Sequence, residues 1–430
     1  MSVYLKRAAG TSETTEDEAK IRQAVENIIE DIAVCGDSAI RQLSERFDGW
    51  SPPSFRLSQA EIDALVSSIP QAVMADLRFA QEQVRRFAEA QRKALNDIEI
   101  ETLPGVILGH RHIPIESVGC YIPGGRYPLV SSAIMCIVPA RVAGVRRVVA
   151  CTPPSGGKPP AASVAAMALA GADEIYILGG VQAVAAMALG SESIKPVDMI
   201  VGPGNAYVAE AKRQLFGRVG IDLIAGPSEV LVIADESADA EMVAADLIGQ
   251  AEHGVNSPCV LLTTSELLAQ AVASQIERQL RTLPTGDVAA QAWRACGEII
   301  LVSSLEEAVQ EANRLAFEHV EVLTKDPQYF LERLTNYGSL FLGAETCVPY
   351  GDFAIGTNHT LPTGRAARYT GGLWVGKYLK TVTYQKCTPQ ASLMVGEHCA
   401  RLAELEGCLG HKAQVDLRLE RYTQSGKRAQ

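Results

Sequence analysis

Four runs decide the architecture: RRVVACTPP (146–154), DEIYILGG (173–180), VDMIVGPGN (197–205) and GIDLIAGPSEVLVIAD (220–235). Each is short, carries β-branched residues and closes on glycine, proline or a polar residue, and Ala-rich sequence of helical composition separates them. This alternation predicts β-α-β units and a parallel sheet. A second series repeats it: PCVLLTTS (258–265), GEIILV (297–302), HVEVLTKD (319–326) and GSLFLGAE (338–345). Two parallel-sheet lobes are therefore expected. Ligands in such lobes sit beyond the carboxyl ends of the strands, where GGVQ (179–182), GPGN (202–205), GPSE (226–229) and TTS (263–265) are expected to fall. No G-x-G-x-x-G occurs, since proline separates Gly202 from Gly204 and Tyr207 stands where a third glycine would be. A nucleotide would need other loop chemistry.

Outside the lobes the pattern is helical. From Glu16 to about Phe47, Ile21, Val25, Ile28, Ile29 and Ile32 recur at helical spacing. A second block, Ser58 to Asn96, is broken at Ser67-Ser68 and Pro70. The polar segment with His110, Arg111 and His112, leading into GCYIPGGRYPL (119–129), reads as a loop. From about Thr388 to Tyr422 helical spacing returns, in a tail too small to fold alone.

A chain of 430 residues is long enough for at least two domains. Its 39 Lys and Arg against 50 Asp and Glu give a net charge of −11 without a basic run, which argues against a nucleic-acid partner. Ten cysteines without a C-x-x-C suggest neither a zinc ribbon nor a disulfide framework, and read as buried thiols in a reducing cytosol. The N-terminus lacks an apolar targeting segment and no long apolar run occurs, so a cytoplasmic protein with no membrane partner is expected.

Chemistry concentrates in DLIGQAEHGVNS (246–257). If this segment is helical, its spacing puts the Gln250 amide oxygen and the His253 imidazole on one face, where a single cation could take both. It can equally be a helix C-terminus ending at Gly254. Of seven histidines, four stand beside acids or amides in polar strings: His253, His319 (FEHVEV), His359 (GDFAIGTNH) and His411 (EGCLGH). Gln250, His253, Asp352 and His411 would together supply nitrogen and oxygen ligands, a set that suits zinc. Spacing alone does not bring them together.

The strings CYIPGG, VGPGNAYVAEAKRQ, AGPSEVLVIAD, QAEHG, the Glu318-His319 pair, GDFAIGTNHTLPT and EGCLGH, in this order, closely resemble the histidinol dehydrogenase family from about Ala24 to Leu419. The resemblance implies an α/β fold of two incomplete Rossmann-like parallel-sheet lobes with helical N-terminal and C-terminal extensions. Its parts would be an N-terminal arm (1–20), a lobe from 21–120 plus 236–380 with the metal site, an inserted NAD-binding lobe (121–235), and a helical tail (381–430). It implies one Zn²⁺ per site on Gln250, His253, Asp352 and His411, the last reaching across from the partner of a domain-swapped homodimer. NAD contacts would be Tyr121, Gln182 and Asn205. Substrate contacts would be Ser228, His319, His359 and Glu406 besides the zinc ligands. Ser228 can also be a turn cap, and Asn205 a left-handed turn residue.

The implied reaction is a four-electron oxidation, two hydride transfers carrying a primary alcohol through the aldehyde to the carboxylate. His319 would be the general base and Glu318 would activate the water that hydrates the aldehyde, unless Glu318 is a surface carboxylate. SVYLKRA, FDGW (47–50), Arg126-Tyr127 and ARYTGGLWVGKYLKTVTYQ (367–385) resemble a paralogous branch that contains sulfopropanediol 3-dehydrogenase. There Arg126 would suit a sulfonate, or would meet an NAD phosphate or solvent. A catalytically inactive small-molecule binding protein is the alternative.

Overall fold

The computed structural model describes residues 2–9, 15–124, 128–224 and 226–428. These form two compact units, Met1–Arg92 with Ile115–Tyr378, and Lys93–Pro114 with Leu379–Gln430. Arg126 and Tyr127 lie outside the described residues.

The chain opens with β1 (Val3–Lys6), α1 (Thr15–Asp48), α2 (Gln59–Ser67) and α3 (Gln71–Lys93), followed by β2 (Ile98–Leu103), β3 (Val106–Pro114) and β4 (Ser117–Tyr121). Strict alternation follows: α4 (Val130–Ala143), β5 (Arg147–Thr152), α5 (Ala161–Ala170), β6 (Glu174–Ile177), α6 (Gly180–Leu189), β7 (Met199–Val201), α7 (Ala206–Leu215) and β8 (Gly220–Ile221). The second series is β9 (Val230–Ala234), α8 (Ala240–Ala251), β10 (Cys259–Thr263), α9 (Glu266–Leu280), α10 (Gly286–Cys296), β11 (Gly297–Leu301), α11 (Leu305–Leu315), β12 (His319–Leu323), α12 (Pro327–Leu331), β13 (Ser339–Leu342) and α13 (Val348–Phe353). It ends with β14 (Leu379–Cys387), α14 (Pro389–Leu405) and α15 (Leu409–Arg428).

In the first unit the two expected sheets are present. The five-stranded sheet runs β6-β5-β4-β7-β8 with every pair parallel. The six-stranded sheet runs β1-β11-β10-β9-β12-β13, parallel except for β1, which pairs antiparallel with β11 at the edge. Leaving β1 aside, each sheet has a first strand at its centre, the next two to one side and the last two to the other. Each is thus doubly wound, with one point where the winding reverses: between β4 and β7 in one, between β9 and β12 in the other.

Several boundaries differ from the sequence expectation. GPSE leads into β9, which pairs with β10 and β12, so residues up to 235 do not all belong to an inserted lobe. The five-stranded sheet takes its central strand, β4, from 117–121, a segment read as loop. Helix α1 also packs on this lobe, against α6 and α7, burying Val25, Ile32 and Ile40 in one core with Val184 and Val208. Each such side chain is worth about 1.5–3 kcal/mol. Residues 21–120 therefore do not complete the six-stranded lobe.

The second unit is more than a helical tail. The His110–His112 segment is strand, and β3 pairs antiparallel with β2 and with β14 in a three-stranded sheet. Helices α14 and α15 pack on each other, with Leu419 and Val415 against Gly396. Of the ten cysteines only Cys120, Cys136, Cys151 and Cys259 are buried, while Cys35, Cys387, Cys399 and Cys408 are exposed, contrary to the reading of all ten as buried thiols. No helix among the described residues is long and apolar enough to cross a membrane.

Candidate active site

The reversal point of the five-stranded sheet is open. Around its carboxyl edge lies a cavity of about 610 Å³ lined by Tyr121 from the end of β4, Gly180 and Gln182 from the start of α6, Asn205 after β7, and Asp48 from the end of α1. Tyr121 is buried, and its hydroxyl accepts the Gly180 N–H (3.1 Å) while burial pushes its pKa up to about 12. Gln182 donates to Asp48 (3.0 Å). Burial raises the Asp48 carboxyl and the Gln182 hydrogen bond partly offsets this. Asn205 has extended backbone and caps α7, its side-chain oxygen accepting the N–H groups of Tyr207 and Val208 (both 3.1 Å), so it is not a left-handed turn residue.

The GPGN loop is held from below. Gly202 (φ +116°) packs so closely that a Cβ would overlap the carbonyl oxygen of Tyr121. Its N–H donates to Asp222 (2.7 Å) and its carbonyl accepts from Lys212 (2.9 Å), and Lys212 and Asp222 form a fully buried ion pair. The loop's backbone is thereby fixed just before Asn205, which lines the cavity.

Gly124 and Asn205 also line a second cavity, of about 440 Å³, with Ser131, Ser132, Ser228, His253, Glu318, His319, Asp352 and His359. This one opens at the amino edge of the six-stranded sheet, because Ser228 precedes β9, His319 begins β12 and His253 precedes β10. The expectation that GPSE lies beyond a carboxyl end is corrected, whereas TTS does follow the carboxyl end of β10. GPSE enters its strand, and Ser265 of TTS caps α9 by accepting the Leu268 N–H (3.2 Å).

His319 is 2 % exposed and Glu318 5 %, which excludes a surface role for Glu318. His319 Nδ1 lies 3.2 Å from the Glu229 carbonyl and 3.4 Å from Glu318 Oε2, and Nε2 lies 3.3 Å from Asp352 Oδ1. Burial alone would lower the imidazole pKa, but the charge of Glu318 and the hydrogen bonds to Asp352 and Glu318 together hold it well above its ordinary value. Burial likewise opposes ionisation of Asp352, yet the His319 hydrogen bond and the neighbouring His319, His359 and His253 keep its carboxyl below the usual range. His359 is oriented at both nitrogens, Nδ1 donating to the Asp352 carbonyl (2.9 Å) and Nε2 accepting from Ser132 (3.0 Å).

Among the described residues no three His, Cys, Asp or Glu side chains converge as a metal cage. The first unit offers instead the His253 imidazole, the Asp352 carboxylate and the Gln250 carboxamide, the last at the final turn of α8, 4 % exposed, with an Nε2 that has no hydrogen-bond partner. His253 follows one turn on, its N–H donating to the Gln250 carbonyl (3.2 Å). His253 and Asp352 line the second cavity, and an imidazole, an ionised carboxylate and the oxygen of a buried carboxamide are donor types that suit a divalent cation. His411 and Glu406, on α15 and at the end of α14, belong to the second unit, where both are exposed.

Sequence reading missed Glu229, Asp48, Ser132 and a buried acid pair behind the site. Glu321 accepts the Val348 N–H (2.8 Å) at the start of α13, which carries Asp352, and interacts with Asp246 of α8, which carries Gln250. Burial and then the Asp246 charge push Glu321 up to about 8, and burial pushes Asp246 to about 6. Glu229 and Asp48 stood inside quoted strings (GPSE, FDGW), but only burial distinguishes them from surface acids.

The crevice at the reversal point of the five-stranded sheet and the cavity of buried acid–base groups share Gly124 and Asn205. A family model described as histidinol dehydrogenase matches residues 11–419. The chain belongs to the histidinol dehydrogenase family. It is accordingly an NAD-dependent oxidoreductase that acts on an alcohol by way of the aldehyde. Relatives include a histidinol dehydrogenase homolog of Shouchella clausii, 62% identical with 98% of this chain and 100% of that one covered. Sulfopropanediol 3-dehydrogenase of Ruegeria pomeroyi is 47% identical, covering 97% of this chain and 96% of the relative. The crystal structure of histidinol dehydrogenase from Elizabethkingia anophelis superposes with a TM-score of 0.90 at 37% identity, over 97% of this chain and 95% of that one.

Proposed function

We propose that this enzyme oxidises a small polar primary alcohol through the aldehyde to the carboxylate with NAD and zinc, and that its substrate carries a sulfonate, as 2,3-dihydroxypropane-1-sulfonate does, in preference to L-histidinol. The observation that carries the reading is that Asn205 and Gly124 line both cavities, so a dinucleotide in one would meet an alcohol in the other. The similarity to sulfopropanediol 3-dehydrogenase supports the sulfonate, with Arg126 as its partner.

Tyr121, Gln182 and Asn205 would hold NAD, which would supply the hydride acceptor for each oxidation. Gln250, His253, Asp352 and the His411 of a second subunit would hold zinc, whose chemistry there would be that of a Lewis acid toward the substrate oxygens. Ser228, His359 and Glu406 orient the substrate. His319 would take the hydroxyl proton at Nε2, the ring nitrogen that does not donate to the Glu229 carbonyl. Glu318 removes a proton from the water that adds to the aldehyde, and His319 takes the hydrate's hydroxyl proton in the second oxidation. The balance is one alcohol, one water and two NAD⁺ giving one carboxylate, two NADH and three protons. NADH formation across a panel of alcohols, with histidinol and sulfopropanediol side by side, tests this: faster turnover of the sulfonate is expected. Preference for histidinol would assign the other substrate, and silence across the panel would favour a binding protein.

The site is shared between subunits of a homodimer that exchange their tails. Mixing His411→Ala with His253→Ala subunits should then restore activity, since one site of each hybrid dimer is whole and the other carries both lesions. Absence of activity in hybrid dimers verified by native mass spectrometry would assign His411 to its own subunit or remove it from the site.

A further inference from the structure

We infer that Glu229 is a positioning residue for the Glu318–His319 pair, fixing where the Glu318 carboxyl sits and which His319 nitrogen keeps its proton. The inference rests on the reading of that pair as the proton-handling groups.

Strands β9 and β12 run parallel with Val230 opposite His319, so Glu229 and Glu318 face each other one residue upstream. The Glu229 N–H donates to Glu318 Oε2 (3.0 Å) and the Glu318 N–H donates to Glu229 Oε1 (3.1 Å). This reciprocal ring needs both carboxyls. The Glu229 carbonyl also accepts the His319 N–H (3.3 Å) and lies 3.2 Å from His319 Nδ1. A carbonyl can only accept, so Nδ1 carries the hydrogen of the neutral ring and the lone pair lies on Nε2, the nitrogen facing Asp352. The Glu318 carboxyl is tethered so that Oε2 lies 3.4 Å from Nδ1 while the side chain still lines the cavity.

Two buried carboxyls this close would not be kept for packing alone, since taking each from water is costly. Burial first and the Glu318 charge second push Glu229 up to about 7, opposed by the N–H groups of Glu318 and Gly364 and by His319. Glu229 therefore takes up a proton more readily than an ordinary carboxyl does, which eases the repulsion on the Glu318 charge beside the imidazole.

The test compares full-length wild type, Glu229→Ala, Glu229→Gln, Glu318→Gln, His319→Asn and the double variant Glu229→Ala/Glu318→Gln, reading kcat, KM for NAD, zinc content and melting temperature. A misplaced group of this kind loses about 10²-fold in rate, so Glu229→Ala should lose about that in kcat with KM for NAD and zinc content unchanged. Glu229→Gln, which keeps an acceptor for the Glu318 N–H, should recover most of the loss. In the Glu318→Gln background the alanine substitution should cost less than about 3-fold, because residues acting as a unit are not additive. If Glu229→Ala melts early, Glu229→Asp replaces it, shortening the reach by one methylene. Wild-type kcat in a folded Ala or Asp variant, or the same loss with and without Glu318, overturns the inference. Wild-type turnover in both Glu318→Gln and His319→Asn would remove the reading of the pair itself, and the inference with it, whatever Glu229 does.

Discussion

In the five-stranded sheet the crevice between β4 and β7 stands open at the carboxyl edge, ringed by Tyr121, Gly180 and Asn205, whereas the matching crevice between β9 and β12 is spanned by Asp235. That carboxylate accepts the N–H and hydroxyl of Ser237 on one oxygen and the Lys325 N–H (2.9 Å) on the other, stitching the chain after β9 to the chain after β12. The functional groups of the six-stranded sheet gather at the opposite edge, where Glu229, Glu318 and His319 enter their strands. One strand order thus serves two purposes. The carboxyl edge of one sheet and the amino edge of the other face a common space, marked by Asn205 and Gly124, and this lets a cofactor and a reacting alcohol approach from different lobes.

The comparison can be broken most sharply at the amino edge. Asp352→Ala or His253→Ala should abolish both zinc content and turnover, by metal analysis and NADH formation, while NAD binding by fluorescence titration stays as in wild type. Wild-type metal content in either variant would remove that residue from the site. His319→Asn should keep zinc and NAD binding but slow turnover by roughly 10²–10⁴, the range of a positioned general base. Unchanged kcat at saturating substrate would hand the proton to another group.

At the open carboxyl edge the effect should be milder and of a different kind. Gly202→Ala forces a Cβ against the Tyr121 carbonyl at positive φ. We expect a loss of about 1–3 kcal/mol in stability and a rise of about tenfold in KM for NAD, with zinc content untouched. An unchanged KM would mean that the loop does not shape the cofactor site. The smallest effect belongs to the closed edge: Asp235→Ala should cost about 1 kcal/mol, discounted because the group is partly exposed, and leave kcat and KM alone. Burial opposes ionisation of Asp235, but its hydrogen bonds to Ser237 and to Lys325 hold its pKa below the ordinary value. Its contribution is therefore present above the unfolded pKa and lost as pH falls through the folded one. A kinetic defect at saturating zinc and NAD would show that this edge also takes part in function.

Part of the site was legible because His253, His319, Asp352 and His359 stand in polar strings that interrupt apolar sequence, while the roles of Tyr121, Gln182, Asn205, Ser228 and Glu318 came from the family resemblance. His253, Glu318, His319, Asp352, His359 and Ser228 do line one cavity, and Tyr121, Gln182 and Asn205 another. Glu229 was not legible as part of it, since a glutamate at the end of a turn looks the same in sequence whether solvent or a second buried carboxyl faces it. Glu406, singled out by resemblance, and His411, read from its polar string EGCLGH, sit in the other unit.

By itself the sequence determined the alternation of strand and helix, and with it two parallel sheets, because the period of apolar residues is a local property that survives whatever the chain later packs against. It left open whether Gln250 and His253 share a helical face or lie in a helix C-terminus ending at Gly254; the helix ends at Ala251, with Gln250 in its last turn and His253 beyond it. Strand partnership was decided only by the tertiary structure. Leu379–Cys387 pairs with Val106–Pro114, Val3–Lys6 pairs with Gly297–Leu301, and Ser117–Tyr121 becomes the centre of a sheet. Pairing across hundreds of residues leaves no periodic trace in either strand. For the same reason the edge at which each cavity opens, carboxyl in one sheet and amino in the other, followed from which lobe faces which, a packing choice made between surfaces and not along the chain.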